Sequence, residues 1–194
     1  MNHAIEIKKD IYWIGVNDRR THIFENYWPL PKGVAYNSYV IVDEKVVVVD
    51  TVERSHMDDY LDNLEAILQD RPVDYLIINH MEPDHSSSIS ALKRLYPEIK
   101  IVGNAKTLQM IGGYYGIEAD TVEIREGESL SLGNRTLTFY MAPMVHWPET
   151  MVTYCPEQKT LFTGDAFGTF GALDGGILDR QLELGHFWDE MIRY

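Results

Sequence analysis

The pattern of apolar residues changes character twice along this chain, and that order of changes is what most restricts its fold. Ile11–Ile14, Tyr39–Val42 and Val46–Val49 are short runs rich in β-branched and aromatic residues, and Asp43-Glu44-Lys45 supplies a hairpin turn between the last two. The first third is therefore a sheet. Ser55 with Asp58 then makes a capping-box pattern, and Met57, Tyr60, Leu61, Leu64, Ile67 and Leu68 recur at helical spacing along one face. Asp74–Ile78 reads as a buried strand, and Ser86-Ser87-Ser88 opens another helix. Lys100–Gly103 and an Asn104-capped segment ending at Gly112-Gly113 repeat the strand-then-helix rhythm. From Thr121 the pattern becomes consecutive strands: Thr121–Ile124, Ser129–Leu132, Thr136–Met141, Met151–Tyr154 and Thr160–Phe162, with turns at Gly127 and Gly133-Asn134. Such a chain needs both helix and sheet layers, so its class is α+β, and two sheets face to face with helices outside would bury these runs.

With 194 residues and 45% hydrophobic content the chain can bury one sizeable core, and residues 1–194 read as a single domain without a repeat or a Pro/Gly-rich linker. No apolar run is long enough to span a bilayer, and Met1–Glu6 lacks the regions of a signal peptide, so a soluble protein of the cytoplasm is expected. A net charge of −13 repels polyanions, which argues against nucleic acid or an anionic membrane as partner. The one cysteine, Cys155, excludes an internal disulfide and any Cys-x-x-Cys metal site, and reads as a small core residue.

Chemistry concentrates in His80-Met81-Glu82-Pro83-Asp84-His85, which puts four metal-capable side chains in one loop directly after a strand. His146, in Val145-His146-Trp147-Pro148-Glu149, and Asp165, in Phe162-Thr163-Gly164-Asp165, also follow strand-like stretches. Loops leaving one edge of a sandwich can bring all six to a shared pocket. Three imidazoles, which suit late transition metals, mixed with three hard carboxylates point to a two-metal site rather than a single zinc. Within a tight loop, alternating side chains at 80, 82 and 84 point one way and His85 the other, and Pro83 stiffens the turn by fixing its own φ. Asp50 ends Val46–Val49 in the same manner as the candidate ligands; it is either a turn residue or an acceptor for a ligating imidazole N–H.

This loop resembles the His-x-His-x-Asp-His signature of the metallo-β-lactamase superfamily, with Glu82 where its hydrolases place a second histidine. That replacement resembles the flavodiiron proteins, and so do Asn37-Ser38-Tyr39, the stretch His146–Met151 and the loop Thr163–Gly168. The resemblance covers the whole chain. It implies an αββα sandwich of metallo-β-lactamase type and a non-haem diiron centre that reduces O2 to water or NO to N2O. His80, Glu82 and His146 would hold one iron, Asp84 and His85 the other, with Asp165 bridging. It further implies FMN on a flavodoxin-like domain, a head-to-tail homodimer that brings flavin and metals together, and rubredoxin or a similar electron donor.

The family's seventh ligand, a histidine, is expected beyond position 194, and His186 lacks its context; the chain thus reads as a diiron domain that stops before the flavodoxin-like part. His22, in Arg19–Phe24, is either a proton or hydrogen-bond donor to bound substrate or a surface histidine. His3 and His56 read as solvent or capping residues. Trp13, Trp28 and Trp188 read as core, whereas Trp147, beside a candidate ligand, would line the pocket or a flavin contact. Two other functions stay open: a zinc hydrolase of the same fold working through metal-bound hydroxide, against which Glu82 speaks, and an inactive metal-binding fragment.

Overall fold

A computed structural model describes residues 4–174 and 176–193; His3 and the side chain of His186 lie outside the described residues. Seven strands form the first sheet, in the spatial order Ile5–Lys8, Ile11–Trp13, Tyr39–Val42, Val46–Val49, Tyr75–Ile77, Lys100–Gly103 and Thr121–Glu123. Its first four strands pair antiparallel, two of the three pairs as hairpins and the middle pair across the excursion of residues 14–38, and its last four pair parallel through helical crossovers. The second sheet is a four-stranded antiparallel meander of Ser129–Ser131, Thr136–Met141, Met151–Cys155 and Thr160–Phe162. Thr121–Glu123 thus completes the first sheet instead of opening the second, because it pairs in parallel with Lys100–Gly103.

Side-chain alternation divides the core in two. Val46 and Val48 face a helical layer formed by Tyr60, Leu64, Leu92 and Ile111, while Val47 and Val49 face Leu137, Phe139, Met151 and Phe162 of the second sheet. All four valines are fully buried, which is why this strand reads as a continuous apolar run rather than an alternating one. Cys155 is buried in the layer between the sheets. No helix among the described residues is long and apolar enough to cross a membrane.

The helix ends depart from the sequence pattern in three places. A 3₁₀ turn at Arg54–His56 precedes the helix Met57–Leu68, so Ser55 lies before the helix and no side chain caps its start. Asn104 does cap Ala105–Tyr115, its Oδ1 accepting from the Lys106 and Thr107 N–H groups at 3.0 Å each. That helix runs through Gly112-Gly113 and stops at Gly116, which takes the left-handed φ of 67° that a C-terminal cap requires. In the metal loop, Pro83–Ser86 coil into one helical turn with Pro83 in its first turn, so His85 is aimed by a helix rather than by strand alternation.

Three residues expected at the surface or in the core sit elsewhere. His56 is buried, its Nε2 2.9 Å from Asp18 Oδ2, because the 3₁₀ turn carries its ring inward against Tyr36. Trp28 and Trp188 remain exposed, by 37% and 57%, whereas Trp13 is buried and donates Nε1–H to Asn37 Oδ1 at 2.9 Å.

Arg135 ties the two sheets together at one end of the sandwich. Its guanidinium lies 3.1 Å from Asp43 Oδ2 and 2.9 Å from Asp10 Oδ2, and donates to the Lys9 carbonyl at 3.0 Å. Burial works against the Asp43 charge, but Asn134, backbone N–H groups and Arg135 together hold its carboxyl below the usual range. Arg135→Met should leave Asp43 buried without its cation and destabilise the fold by about 3 kcal/mol, read as a lowered urea midpoint. Since the Asp43 pKa is depressed, its contribution is full above the ordinary carboxylate value and fades as pH falls through the folded value; the gap between wild type and variant should narrow in acid.

Candidate metal centre

The site is assembled by one asparagine. Asn79 follows the strand Tyr75–Ile77 and is fully buried, and each of its four polar groups has a partner. Its N–H donates to Asp50 Oδ1 at 2.7 Å and its C=O accepts from Met151 N–H at 3.0 Å. Its side-chain amide donates to the Phe162 carbonyl at 3.2 Å and accepts from Thr153 Oγ1 at 2.7 Å. The ends of both sheets are therefore locked together one residue before His80.

His80 is oriented by Glu149, whose Oε1 lies 3.0 Å from His80 Nδ1 and also accepts the Met81 N–H at 2.8 Å. With Nδ1 committed to a carboxylate, Nε2 is the nitrogen presented to the cleft. It lies 3.2 Å from Glu82 Oε2 and 3.3 Å from His146 Nε2. His146 Nε2 is itself 2.7 Å from Glu82 Oε2 and 3.1 Å from Asp165 Oδ2. Donor atoms of these four residues all lie within 4.8 Å of one another.

A second set adjoins the first across Asp165. His85 Nε2 is 2.6 Å from Asp165 Oδ1 and 3.7 Å from Asp84 Oδ2. Thr51 holds this turn by donating its N–H and Oγ1–H to the His85 carbonyl, both at 2.8 Å. Asp50 turns the chain at φ 56°; its Oδ1 accepts the Asn79 N–H, while its Oδ2 sits 3.7 Å from His85 Nδ1, beyond hydrogen-bond distance. Asp165 follows the strand Thr160–Phe162 through Gly164, whose φ of 57° lies in the left-handed region that glycine adopts without strain.

Charge is crowded here. Burial alone would drive the His80 imidazole toward neutrality, but Glu149 and Glu82 raise its pKa to about 9. His85 is raised well above the usual value, burial being outweighed by Asp84 and Asp165. His146 is raised by its hydrogen bond to Asp165, against burial and with Glu82. Asp165 is correspondingly depressed, burial being overcome by His85 and His146. Asp84 goes the other way, pushed up to about 7 by burial, with Asp165 and Glu82 adding to it and His85 opposing. Three carboxylates packed into this volume demand positive charge, which protons on the rings supply here and metal ions would supply better.

The residues fit such ions. Asp84 Oδ1 is buried with no hydrogen-bond donor, and the six donor groups offer nitrogen and oxygen in equal measure with one carboxylate common to both halves. The structure brings five of the six candidates, Glu82, Asp84, His85, His146 and Asp165, to the wall of one 430 Å³ cleft, with His80 directly behind Glu82 and His146. Trp147 lines the same cleft, its ring 5.5 Å from that of His80. His22 does not reach it. It lines a separate cavity with Arg19, Lys32 and Phe187, because the strand after it turns its neighbours Phe24 and Glu25 toward the metals.

Sequence reasoning missed Glu149, Asn79 and Glu25. Glu149 was in view as part of His146–Met151, yet nothing in one dimension says that a carboxylate 69 positions from His80 will meet its ring.

The chain is similar to known proteins in sequence and in fold. The family model described as ODP family beta lactamase matches residues 34–182. A curated protein named nitric oxide reductase from Moorella thermoacetica is 34% identical over the whole of this chain and 49% of its own length. The flavo-diiron protein FprA2 of Clostridium acetobutylicum is 35% identical over 85% of this chain and 42% of its own. The solved structure of rubredoxin oxygen:oxidoreductase from Desulfovibrio gigas superposes with a TM-score of 0.92 at 29% identity, over 97% of this chain and 47% of that one. The chain spans about half the length of the curated relatives it matches.

Two outcomes test the electrostatics. Metal-free protein should lose thermal stability as pH rises: the Asp84 contribution is full below the ordinary carboxylate value and is lost as pH passes about 7, and the His80 contribution is full below about 6.5 and is lost as pH passes its folded value near 9. Metal-loaded protein should not show this decline, and a flat profile for the chelator-treated form would contradict the assignment. Glu149→Gln should weaken metal binding by about 10–100-fold in an equilibrium competition with a chromophoric chelator, since the amide no longer fixes the His80 ring.

Proposed function

The chain belongs to the ODP family of beta-lactamase domains and, within it, to the flavodiiron type, and from that premise we propose that it binds two irons and reduces dioxygen or nitric oxide. His80, Glu82 and His146 would hold one iron, Asp84 and His85 the other, and Asp165 would join them. The observation that carries this reading is Glu82. Its Oε2 stands 2.7 Å from His146 Nε2 and 3.2 Å from His80 Nε2, so a carboxylate oxygen occupies the place at which hydrolases of this fold present a third ring. Three carboxylates leave a formal excess of about +1 on two ferrous ions and about +3 on two ferric ions, which keeps the oxidised pair within reach. A neutral imidazole would add one uncompensated charge and favour a fixed-valence ion.

Bound there, two ferrous ions would supply two electrons to the substrate. The chain's own groups do the rest. Glu149 keeps the His80 ring fixed through Nδ1, Asp50 lies behind the His85 ring, and Trp147, Phe24 and Phe170 supply an apolar part of the cleft wall for a small gas molecule. Coupling two NO molecules to N2O and water takes two electrons and two protons; reducing O2 to two waters takes four of each. Sustained turnover therefore needs a further two-electron source, which we assign to FMN on a flavodoxin-like partner domain, brought beside the cleft in a head-to-tail dimer and recharged by rubredoxin or a similar carrier.

Metal analysis of natively purified protein tests the reading. Two irons per chain support it, and zinc would mark a hydrolase instead. Glu82→His should move the iron-to-zinc ratio toward zinc after growth in defined metals, and an unchanged ratio would show that Glu82 does not set metal choice. The reduced, iron-loaded chain should react once with nitric oxide and then stop until a flavodoxin-like domain and its donor are added.

A further inference from the structure

One neutral polar side chain of the metal cleft takes no part in the cluster of candidate ligands. Asn37 lines the cleft beside Val34, Ala35 and Phe24, and the chain is anchored on both sides of it. Just before it, Val34–Tyr36 pairs antiparallel with Val16–Asp18. Just after it, the Ser38 carbonyl accepts the Ile14 N–H at 2.9 Å, and Ser38 Oγ donates to the Asp50 carbonyl at 2.9 Å. Asp50 in turn accepts the Asn79 N–H at 2.7 Å, one residue before His80. Asn37 therefore hangs on the same hydrogen-bonded frame as the ligands, which fixes its place relative to them.

Trp13 settles which way the amide faces. An indole N–H can only donate, so the Asn37 atom that meets it at 2.9 Å is Oδ1, and the NH2 end is turned away from the indole. The indole is itself wedged in place. Trp13 is buried, and Gly15 packs so closely that a Cβ there would stand 2.8 Å from Trp13 Nε1 and 2.2 Å from the Tyr36 carbonyl oxygen. Among the described residues none accepts a hydrogen bond from Asn37 Nδ2, and this nitrogen is not sealed from solvent. Thr169, on the same cleft wall, differs in that its Oγ1 is shut away. The Asn37 amide thus gives its oxygen to Trp13 and leaves its N–H bonds for the cleft.

A donor of this kind suits the chemistry proposed for the cleft. Glu82, Asp84 and Asp165 already crowd the wall with carboxylates, and a gas molecule that takes up electrons gains negative charge on its oxygen. A cationic side chain at this position would pair with the carboxylates, and a bare acceptor would repel the substrate. A neutral amide does neither, and it does not titrate in the working pH range. Its hydrogen bond to a charged oxygen is strengthened by the apolar wall of Val34, Ala35, Phe24 and Trp28, which keeps the local dielectric low.

We propose that Asn37 is a substrate-binding residue of the metal cleft, donating an Nδ2–H hydrogen bond to the oxygen of nitric oxide or dioxygen on which negative charge builds, and that Trp13 is the positioning residue that aims it. No bond of the amide breaks. The electrons come from the irons and the protons from solvent, while Asn37 keeps both of its own. The assignment rests on the oxidoreductase reading of the same site.

Three variants of the iron-loaded protein test it. Asn37→Leu removes the amide at nearly constant size, and Asn37→Asp keeps the shape and the bond from Trp13 but turns an anionic oxygen to the cleft. Trp13→Phe leaves the amide in place and frees it to rotate. Iron content and melting temperature are measured in parallel. The readouts are the infrared N–O stretching band after the reduced protein takes up nitric oxide, recorded in H2O and D2O, and the dissociation constant of the oxidised protein for azide. A hydrogen bond to the oxygen draws electron density onto it, so the wild-type band should lie below that of Asn37→Leu and should move in D2O as N–H becomes N–D. Asn37→Leu should abolish the D2O shift and weaken azide binding by about 10-fold, the loss expected for one hydrogen bond to a charged group. Asn37→Asp should weaken azide further through repulsion. Trp13→Phe should give intermediate values of both readouts with full iron content, which a merely structural indole would not produce. If Asn37→Leu does not fold, the isosteric Asn37→Asp carries the test. Wild-type bands and azide affinity in Asn37→Leu and Asn37→Asp, with both irons retained, would overturn the role of Asn37 and leave the oxidoreductase reading intact; wild-type values in Trp13→Phe would overturn the positioning role of Trp13. If the wild-type protein holds zinc, or if its reduced iron form ignores both gases, the oxidoreductase reading falls and the Asn37 assignment falls with it.

Discussion

Asn79 is the residue on which the site depends. A fully buried amide placed between two sheets is costly unless every polar group finds a partner, and here each does. Its partners come from three separate strand ends: Asp50 after one strand of the first sheet, and Met151, Thr153 and Phe162 in two strands of the second. The hydrophobic layer between the sheets is non-directional and would tolerate a small slide of one sheet over the other. Hydrogen bonds with fixed lengths would not. They set the register at the edge where His80, His85 and Asp165 emerge, and so convert a packed sandwich into a positioned cluster.

From that register the rest of the chemistry follows. The carboxylates are too close to remain charged alone, and the imidazoles too buried to remain charged alone, so each set requires the other or requires metal ions. Glu149 stands behind the His80 ring and holds its Nδ1, so the ring edge facing the cleft is chosen by a residue outside the candidate ligands. Building the cluster at strand ends and on a single helical turn, rather than on long loops, keeps these edges within the narrow tolerance that two adjacent ions demand.

On the proposed reading a redox function and a hydrolytic one would differ by a single side chain on a shared frame. Glu82 brings one negative oxygen beside the His80 and His146 rings, and that charge would set which oxidation states bound ions could reach.

Much of this protein was legible in one dimension because periodicity and composition are local properties. The runs Ile11–Ile14, Tyr39–Val42 and Val46–Val49, the helical stripe from Met57 to Leu68 and the strands after Ser129 all appear where their patterns place them, and six metal-capable residues stand out by type and by following strands. Other features were decided only in three dimensions. Thr121–Glu123 reads as the start of a meander but joins the first sheet, since strand pairing depends on which partner edge is free. Ser55 cannot cap a helix that a 3₁₀ turn begins later, and Gly112-Gly113 cannot end one whose next turn is held by packing until Gly116. His56 looks like a surface residue until Asp18 meets it in the interior, and Glu25 looks like a turn residue until the hairpin carries it over the cleft while His22 faces elsewhere. Residue type determined what these groups can do; contact between segments far apart in sequence, 83 positions for Asn79 and Phe162, determined which of them do it together, because hydrogen bonds and charges act through space and not along the chain.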